Sequence, residues 1–293
     1  MNIIHRPSNL PAGMARELGF TATQITWRLD DDPAAQAVDL LRHADLDIWL
    51  AYHPGPEWYA GKPLYAALQR SIGAARHCLG PRLLGVRLNH EERAVAYPQG
   101  FSRNIAARIA GWEPMLQQIR SGTHPVHLLE GKDVSWTLKS LYRMYVREAC
   151  QASSRQILAL ADVCLDFSLD LLVYPLHANN VPSAPRILPR EEYSLDPGLK
   201  HPAIVRELSS WGNFSRGWVD EQARAVTGRW IMTLQQADET PQQVEEGLRW
   251  RLEARNKDGL APEGVGYWSP KSSSYPGQVD YLLGIKRALK GSP

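Results

Sequence analysis

The run Leu88-Asn89-His90-Glu91-Glu92 sets two adjacent carboxylates just past an apolar stretch, Leu83-Leu84-Gly85-Val86-Arg87-Leu88. A carboxyl in a partly apolar cleft, close to a second one, has its pKa raised and can serve as a general acid. Glu91 lies nearer the apolar stretch and is the first candidate; Glu92 is the second. A solvated acidic pair opening a helix is the competing reading, since negative charge suits that end of the helix dipole. Polar groups follow other apolar runs in the same way. Arg28 follows 23–27, His53 follows 46–52, and Glu130 with Asp133 follows 124–129. Tyr174 with His177 follows 169–173, Gln235 with Gln236 and Asp238 follows 228–234, and Trp268 closes 264–268. Carboxylates beside amides, imidazoles and flat aromatic faces are the groups that bind and cleave sugars. Asn89, Gln235 and Tyr174 would hydrogen-bond a ring, and Trp268 would stack on it. Arg28 suits a structural ion pair equally well, and His53 and His177 suit loop positions with no chemical task. Trp58, in the Pro/Gly-rich loop after 46–52, is a stacking candidate. Trp49, inside its apolar run, is expected in the core.

Positioning these groups falls to short apolar runs alternating with helical patterns along the chain. The strands expected are Asn2–His5, Thr23–Arg28, Leu46–Tyr52, Leu83–Leu88, His124–Leu129, Leu169–Tyr174, Gly228–Leu234 and Gly264–Trp268. Helical stretches are expected at Pro11–Leu18, Ala34–His43, Pro63–Cys78, Ile105–Ile119, Trp136–Val163, Pro202–Leu208, Thr240–Arg255 and Gln278–Leu289. Thr240 is placed at an N-cap with Pro241 at the first helical position. Eight strands alternating with eight helical stretches is the pattern of an α/β protein, a single (β/α)8 barrel. An open doubly wound sheet is the competitor, but its Gly-rich phosphate loop is absent. Residues 1–293 are expected to form one barrel domain, with a long Pro- and Asn-rich loop at about 175–202. In such a barrel the residues just past each strand line the active-site end, which is where the candidates above fall.

Composition narrows the partners. The 293 residues carry 33 Lys plus Arg against 31 Asp plus Glu, a formal charge of +2. That balance argues against nucleic-acid binding by bulk charge. No apolar run approaches the roughly 20 residues of a membrane span, so no membrane partner is expected. Ten Trp and eleven Tyr against four Phe favour flat faces with a polar edge, which suits a carbohydrate ligand. Cys78, Cys150 and Cys164 form neither a CxxC pair nor a zinc-ligand spacing. Three reduced thiols and no visible secretory pattern in 1–13 point to a cytoplasmic protein. No metal or cofactor is expected, and no residue pattern sets an oligomeric state.

Residues 81–92, Pro-Arg-Leu-Leu-Gly-Val-Arg-Leu-Asn-His-Glu-Glu, resemble strand four of barrel glycoside hydrolases, the broad clan with an acid/base Glu after that strand. Residues 119–126, 170–175, 240–246 and 264–269 are similar, in order, to the approach to that clan's fifth strand, its sixth strand and its last two units. The resemblance implies hydrolysis of an oligo- or polysaccharide, with Glu91 as acid/base and Trp268 as the floor of the sugar site. One departure is plain. The clan's nucleophile is a Glu ending strand seven, whereas Leu234 here runs into Gln235-Gln236. An amide cannot be the carboxylate nucleophile of a retaining mechanism. The second carboxylate then comes from Glu130, Asp133, Asp238 or Glu239, or Gln235 replaces a native Glu, or the barrel binds sugar without cleaving it. A metal-dependent phosphodiesterase is a further alternative. Ile3-Ile4-His5-Arg6 faintly resembles the opening of glycerophosphodiester phosphodiesterases, but the acids at 30–32 are displaced from their expected place.

Overall fold

Eight parallel strands close into a barrel in the order β1 to β8. They are β1 (Ile3–His5), β2 (Ala22–Trp27), β3 (Asp47–Tyr52), β4 (Leu83–Leu88), β5 (Asp170–Val173), β6 (Ile204–Trp211), β7 (Trp230–Gln235) and β8 (Val265–Trp268). The computed structural model describes residues 1–5, 13–29, 46–54, 58, 61–88, 154–173, 200–211, 215–224, 226–235, 239–268 and 279–290. Pairing between β1 and β8, Ile3 with Gly266 and His5 with Trp268, closes the ring. The fold is a (β/α)8 barrel, as the alternation of patterns implies. Among the described residues no helix is long and apolar enough to cross a membrane.

Two expected elements are corrected. β4 pairs directly with Asp170–Val173, Gly85 opposite Asp170. The fifth barrel strand is therefore 170–173, and the stretch His124–Leu129, which lies outside the described residues, does not take that place. Pro202–Leu208 was expected as a helix, but 204–211 is strand β6, paired with β5 and β7. The eightfold count survives because these two differences compensate. The strong helix formers Arg206, Glu207 and Leu208 suggest a helix locally, yet Ile204 and Val205 are β-branched and the barrel buries both.

The helices fit their sequences more closely. α1 (Met14–Leu18) ends at Gly19, whose φ of 102° lies in the left-handed region that glycine tolerates. α2 (Tyr65–Leu79) buries Leu68, Ile72, Ala75 and Leu79, one stripe at helical spacing. α3 (Arg216–Ala223), which sequence patterning did not indicate, is capped by Ser215, whose side chain accepts from the Trp218 amide. α4 (Pro241–Glu253) opens with a capping box. Thr240 accepts from the Gln243 amide and Gln243 returns a bond to the Thr240 amide. α5 (Val279–Lys290) packs along α4. At the opposite end of the barrel from the strand C-termini, Arg229 holds Asp170 at 2.5 Å and Glu263 at 2.6 Å, tying the starts of β5, β7 and β8 together.

The interior is built in rings of four, contributed by alternate strands. With tilted strands, a level ring advances about one residue per strand relative to the register. Ile3, Trp49, Leu172 and Ile231, all fully buried, make one apolar ring from the odd-numbered strands. The next ring toward the strand C-termini comes from the even-numbered strands: Gln24, Arg87, Glu207 and Gly266. Arg87 lies opposite Leu172 and Leu172 opposite Val205, so Glu207 is level with Arg87. Gln24 lies opposite Trp49 and Trp49 opposite Gly85, which puts Gln24 level with Arg87 as well. Rings of this kind are usually filled by Val, Ile and Leu; here one is polar.

Candidate functional site at the mouth of the barrel

The C-terminal ends of β6, β7, β8 and β1 share one register row. Trp211 pairs with Gln235, Gln235 with Trp268, and Trp268 with His5. Gln235 and Trp268 are half-buried, each beside the other at the rim. The row explains why two residues far apart in sequence were both legible as candidates: each is the last residue of its strand, and closure of the barrel makes them neighbours. Next to β1 in the ring, along the inner face of β2, exposure falls stepwise. Thr26 is exposed, Gln24 is half-buried and Ala22 is buried. Solvent therefore reaches from the rim down to the polar ring.

That ring holds the main charged feature of the interior. Glu207 is fully buried. Its Oε2 accepts from Arg87 Nε at 2.5 Å, and its Oε1 accepts from Thr233 Oγ1 at 2.6 Å. Burying two charges costs several kcal/mol per ion, which their attraction and extra hydrogen bonds must offset. Charge-assisted bonds of this length provide that compensation. Sequence reasoning missed both residues. Arg87 falls within the stretch read as strand four without being singled out, and Glu207 within a stretch read as a helix. The usable signal was Ile204-Val205 entering an otherwise polar run after Pro202.

The remaining candidates divide by position. Arg28, just past β2, and His53, just past β3, are both exposed at the mouth end. Trp58 is instead fully buried. Its ring lies 5.8 Å from that of Tyr52, which in turn lies 5.9 Å from Trp27. It belongs to the apolar cluster between β3 and α2 and offers no open face for stacking. Trp49 is buried in the barrel interior, as its place within an apolar run implied. Glu239, one alternative for a second carboxylate, is nearly buried, and its charge acts on Arg251 of α4. Asn89, Glu91, Glu92, Glu130, Asp133, Tyr174, His177, Gln236 and Asp238 lie outside the described residues. Among the described residues no group of three or more His, Cys, Asp or Glu side chains is placed to hold a metal ion.

No family model matches the chain, and no curated protein matches it. Solved structures similar in fold include an AP endonuclease of family 2 from Brucella melitensis, at 14% identity and a TM-score of 0.48, covering 96% of this chain and 98% of that one. A D-psicose 3-epimerase determined in the presence of D-fructose is 9% identical, with a TM-score of 0.44 and coverage of 99% and 97%. A GH5-4 broad-specificity endoglucanase from an uncultured bacterium is 12% identical, with a TM-score of 0.46 and coverage of 97% and 84%. The barrel assignment rests on the strand pairing itself.

Proposed function

We propose that this barrel is a carbohydrate-active enzyme, and more narrowly a glycoside hydrolase working at the C-terminal mouth. The observation that carries the reading is the half-buried Trp268 beside Gln235 on one register row, above a polar interior ring that solvent reaches along β2. An aromatic face flanked by neutral hydrogen-bonding groups matches the two kinds of surface on a sugar ring. β4 ends at Leu88 on the same end of the barrel, so Glu91 follows it within three residues. In the mechanism proposed, the Glu91 carboxyl gives its proton to the glycosidic oxygen as the bond from that oxygen to the anomeric carbon breaks. A second carboxylate, from Glu130, Asp133, Asp238 or Glu239, either attacks the anomeric carbon or takes a proton from the attacking water. Water supplies the hydroxyl of one product, and the leaving oxygen becomes the hydroxyl of the other.

The test is a broad glycan hydrolysis screen of this chain alongside Glu91→Gln and Gln235→Glu. Hydrolysis that disappears in Glu91→Gln supports the assignment; hydrolysis unchanged in that variant removes it. A second reading, a barrel that binds glycans without cleaving them, is favoured by Gln235 ending β7, where a retaining enzyme of the resembling clan has Glu. Tight glycan binding with no product, and turnover appearing only in Gln235→Glu, selects that reading.

A further inference from the structure

The polar ring holds hydrogen-bonding groups that the protein does not use. Arg87 donates through Nε to Glu207, and that is the one bond its side chain makes among the described residues. A guanidinium carries five N–H donors, so the terminal nitrogens of Arg87 keep theirs. Level with it in the ring, Gln24 Oε1 is buried and accepts no hydrogen bond. Its register partner Trp49 is fully buried, and Trp49 Nε1 likewise donates to nothing in the protein. Buried polar groups are rarely left without partners, because each such group costs about 1–3 kcal/mol. The unmet acceptor and the unmet indole donor belong to register neighbours on β2 and β3, and one position of the polar ring, Gly266, contributes no side chain.

We propose that the ring of Gln24, Arg87 and Glu207 is the floor of a pocket for a neutral, polyhydroxylated ligand. The terminal N–H groups of Arg87 donate to its hydroxyl oxygens, and Gln24 Oε1 accepts from one of its hydroxyl groups. This rests on the carbohydrate reading above and names the groups that hold the most deeply inserted sugar. Charge decides the ligand class. Glu207, held within hydrogen-bond distance of Arg87, cancels the guanidinium charge, so the floor offers donors and an acceptor without a net attraction for phosphate or carboxylate. Glu207 is a positioning residue: it fixes Arg87 through Nε, and Thr233 fixes Glu207 in turn. Adjacent donors on a planar guanidinium suit two neighbouring hydroxyl oxygens, as the same fork suits the two oxygens of a carboxylate.

The experiment exposes the full chain to an array of neutral and acidic oligosaccharides, then titrates the strongest binder by calorimetry. The same titration is run on Gln24→Leu, on the double variant Arg87→Met with Glu207→Leu, and on Trp268→Ala, each checked by thermal melting. The expected result is a neutral glycan whose affinity falls tenfold or more in Gln24→Leu and in the double variant. Gln24→Leu leaves the ion pair intact and carries the test alone if the double variant does not fold. A glycan weakened by Trp268→Ala but held equally well by Gln24→Leu overturns the floor while leaving the mouth as a sugar site. Tighter binding of acidic than of neutral glycans overturns the proposed ligand class. An array on which the wild-type chain binds no glycan overturns the carbohydrate reading, and this inference falls with it.

Discussion

Arg87 and Glu207 lie 120 positions apart in sequence and meet inside the barrel, Nε to Oε2 at 2.5 Å, across the intervening strand that carries Leu172. The pair lies at the inner limit of solvent access, with the carboxylate fully buried and the arginine side chain only 7% exposed. A partner removed from such a pair leaves a poorly hydrated charge without its counter-charge.

Removing one partner is therefore expected to be far worse than removing both. Glu207→Leu or Arg87→Met alone should lower stability by about 3–5 kcal/mol, whereas the two together should cost much less. Urea unfolding of the two single variants and the double checks this through a double-mutant cycle. Additive losses would mean the pair is not coupled.

For the chemistry, Glu91→Gln should reduce turnover by roughly 10²–10⁴-fold, the usual contribution of a general acid, while glycan affinity stays near that of the wild type. Steady-state kinetics on the first substrate found in the screen, paired with binding to the inactive variant, separates the two effects. Loss of binding with no specific loss of turnover would move Glu91 from catalysis to substrate contact.

The capping box of α4 offers a local stability test remote from the mouth. Thr240→Ala deletes the acceptor for the Gln243 amide and is expected to cost about 1 kcal/mol. Thr240→Ser should restore most of it. Chemical denaturation resolves a change of that size, and a neutral Thr240→Ala would show that the helix start is held by its packing instead.

Among thiols, burial pushes Cys164 far above the ordinary cysteine range, while Cys78 is exposed. Native-state alkylation followed by peptide mass spectrometry should modify Cys78 at neutral pH and leave Cys164 intact. The linkage has a definite sign. The folded-state pKa of Cys164 is raised, so its contribution to stability is complete below the unfolded thiol pKa of about 8.5 and is lost as pH rises above it. A Cys164→Ala variant should therefore lose less stability than the wild type between neutral and strongly alkaline pH. Equal alkaline losses would show that other groups govern that limb.

Sequence patterning located the strands that are mostly apolar and bounded by breakers. Leu83–Leu88, entered through Gly80-Pro81, and Leu46–Tyr52, ended by Pro54, are buried on both faces and read as continuous apolar runs. β6 escaped because its inner face carries Glu207, whose burial is made tolerable by partners on β4 and β7 that no local window contains. His124–Leu129 was as apolar as a true strand, and nothing in its own residues told it apart from Asp170–Val173; only the pairing of Gly85 with Asp170 does so. The rim was legible where a strand ends in a distinctive side chain, as at Gln235 and Trp268. The floor beneath it was not, because Gln24, Arg87 and Glu207 are drawn together by the tilt of the strands rather than by any spacing along the chain. Trp58 shows the opposite failure: loop composition suggested exposure, but its indole is buried against Tyr52.

The pairing of β1 with β8 sets an order of events during synthesis. β1 emerges from the ribosome long before β8, and β2 soon satisfies one of its edges, Ile3 beside Ala22. Its other edge waits for Gly266 to Trp268, which arrive on the order of tens of seconds later at ordinary translation rates. Throughout that interval the nascent sheet has an open, hydrogen-bond-hungry flank of the kind that recruits foreign strands. The polar ring faces the same delay, since Arg87 is made long before Glu207 and must remain hydrated until β6 appears. Slow or interrupted translation between β6 and β8 is thus the stage at which this barrel is most exposed to misassembly, and a chaperone that shields strand edges would act there.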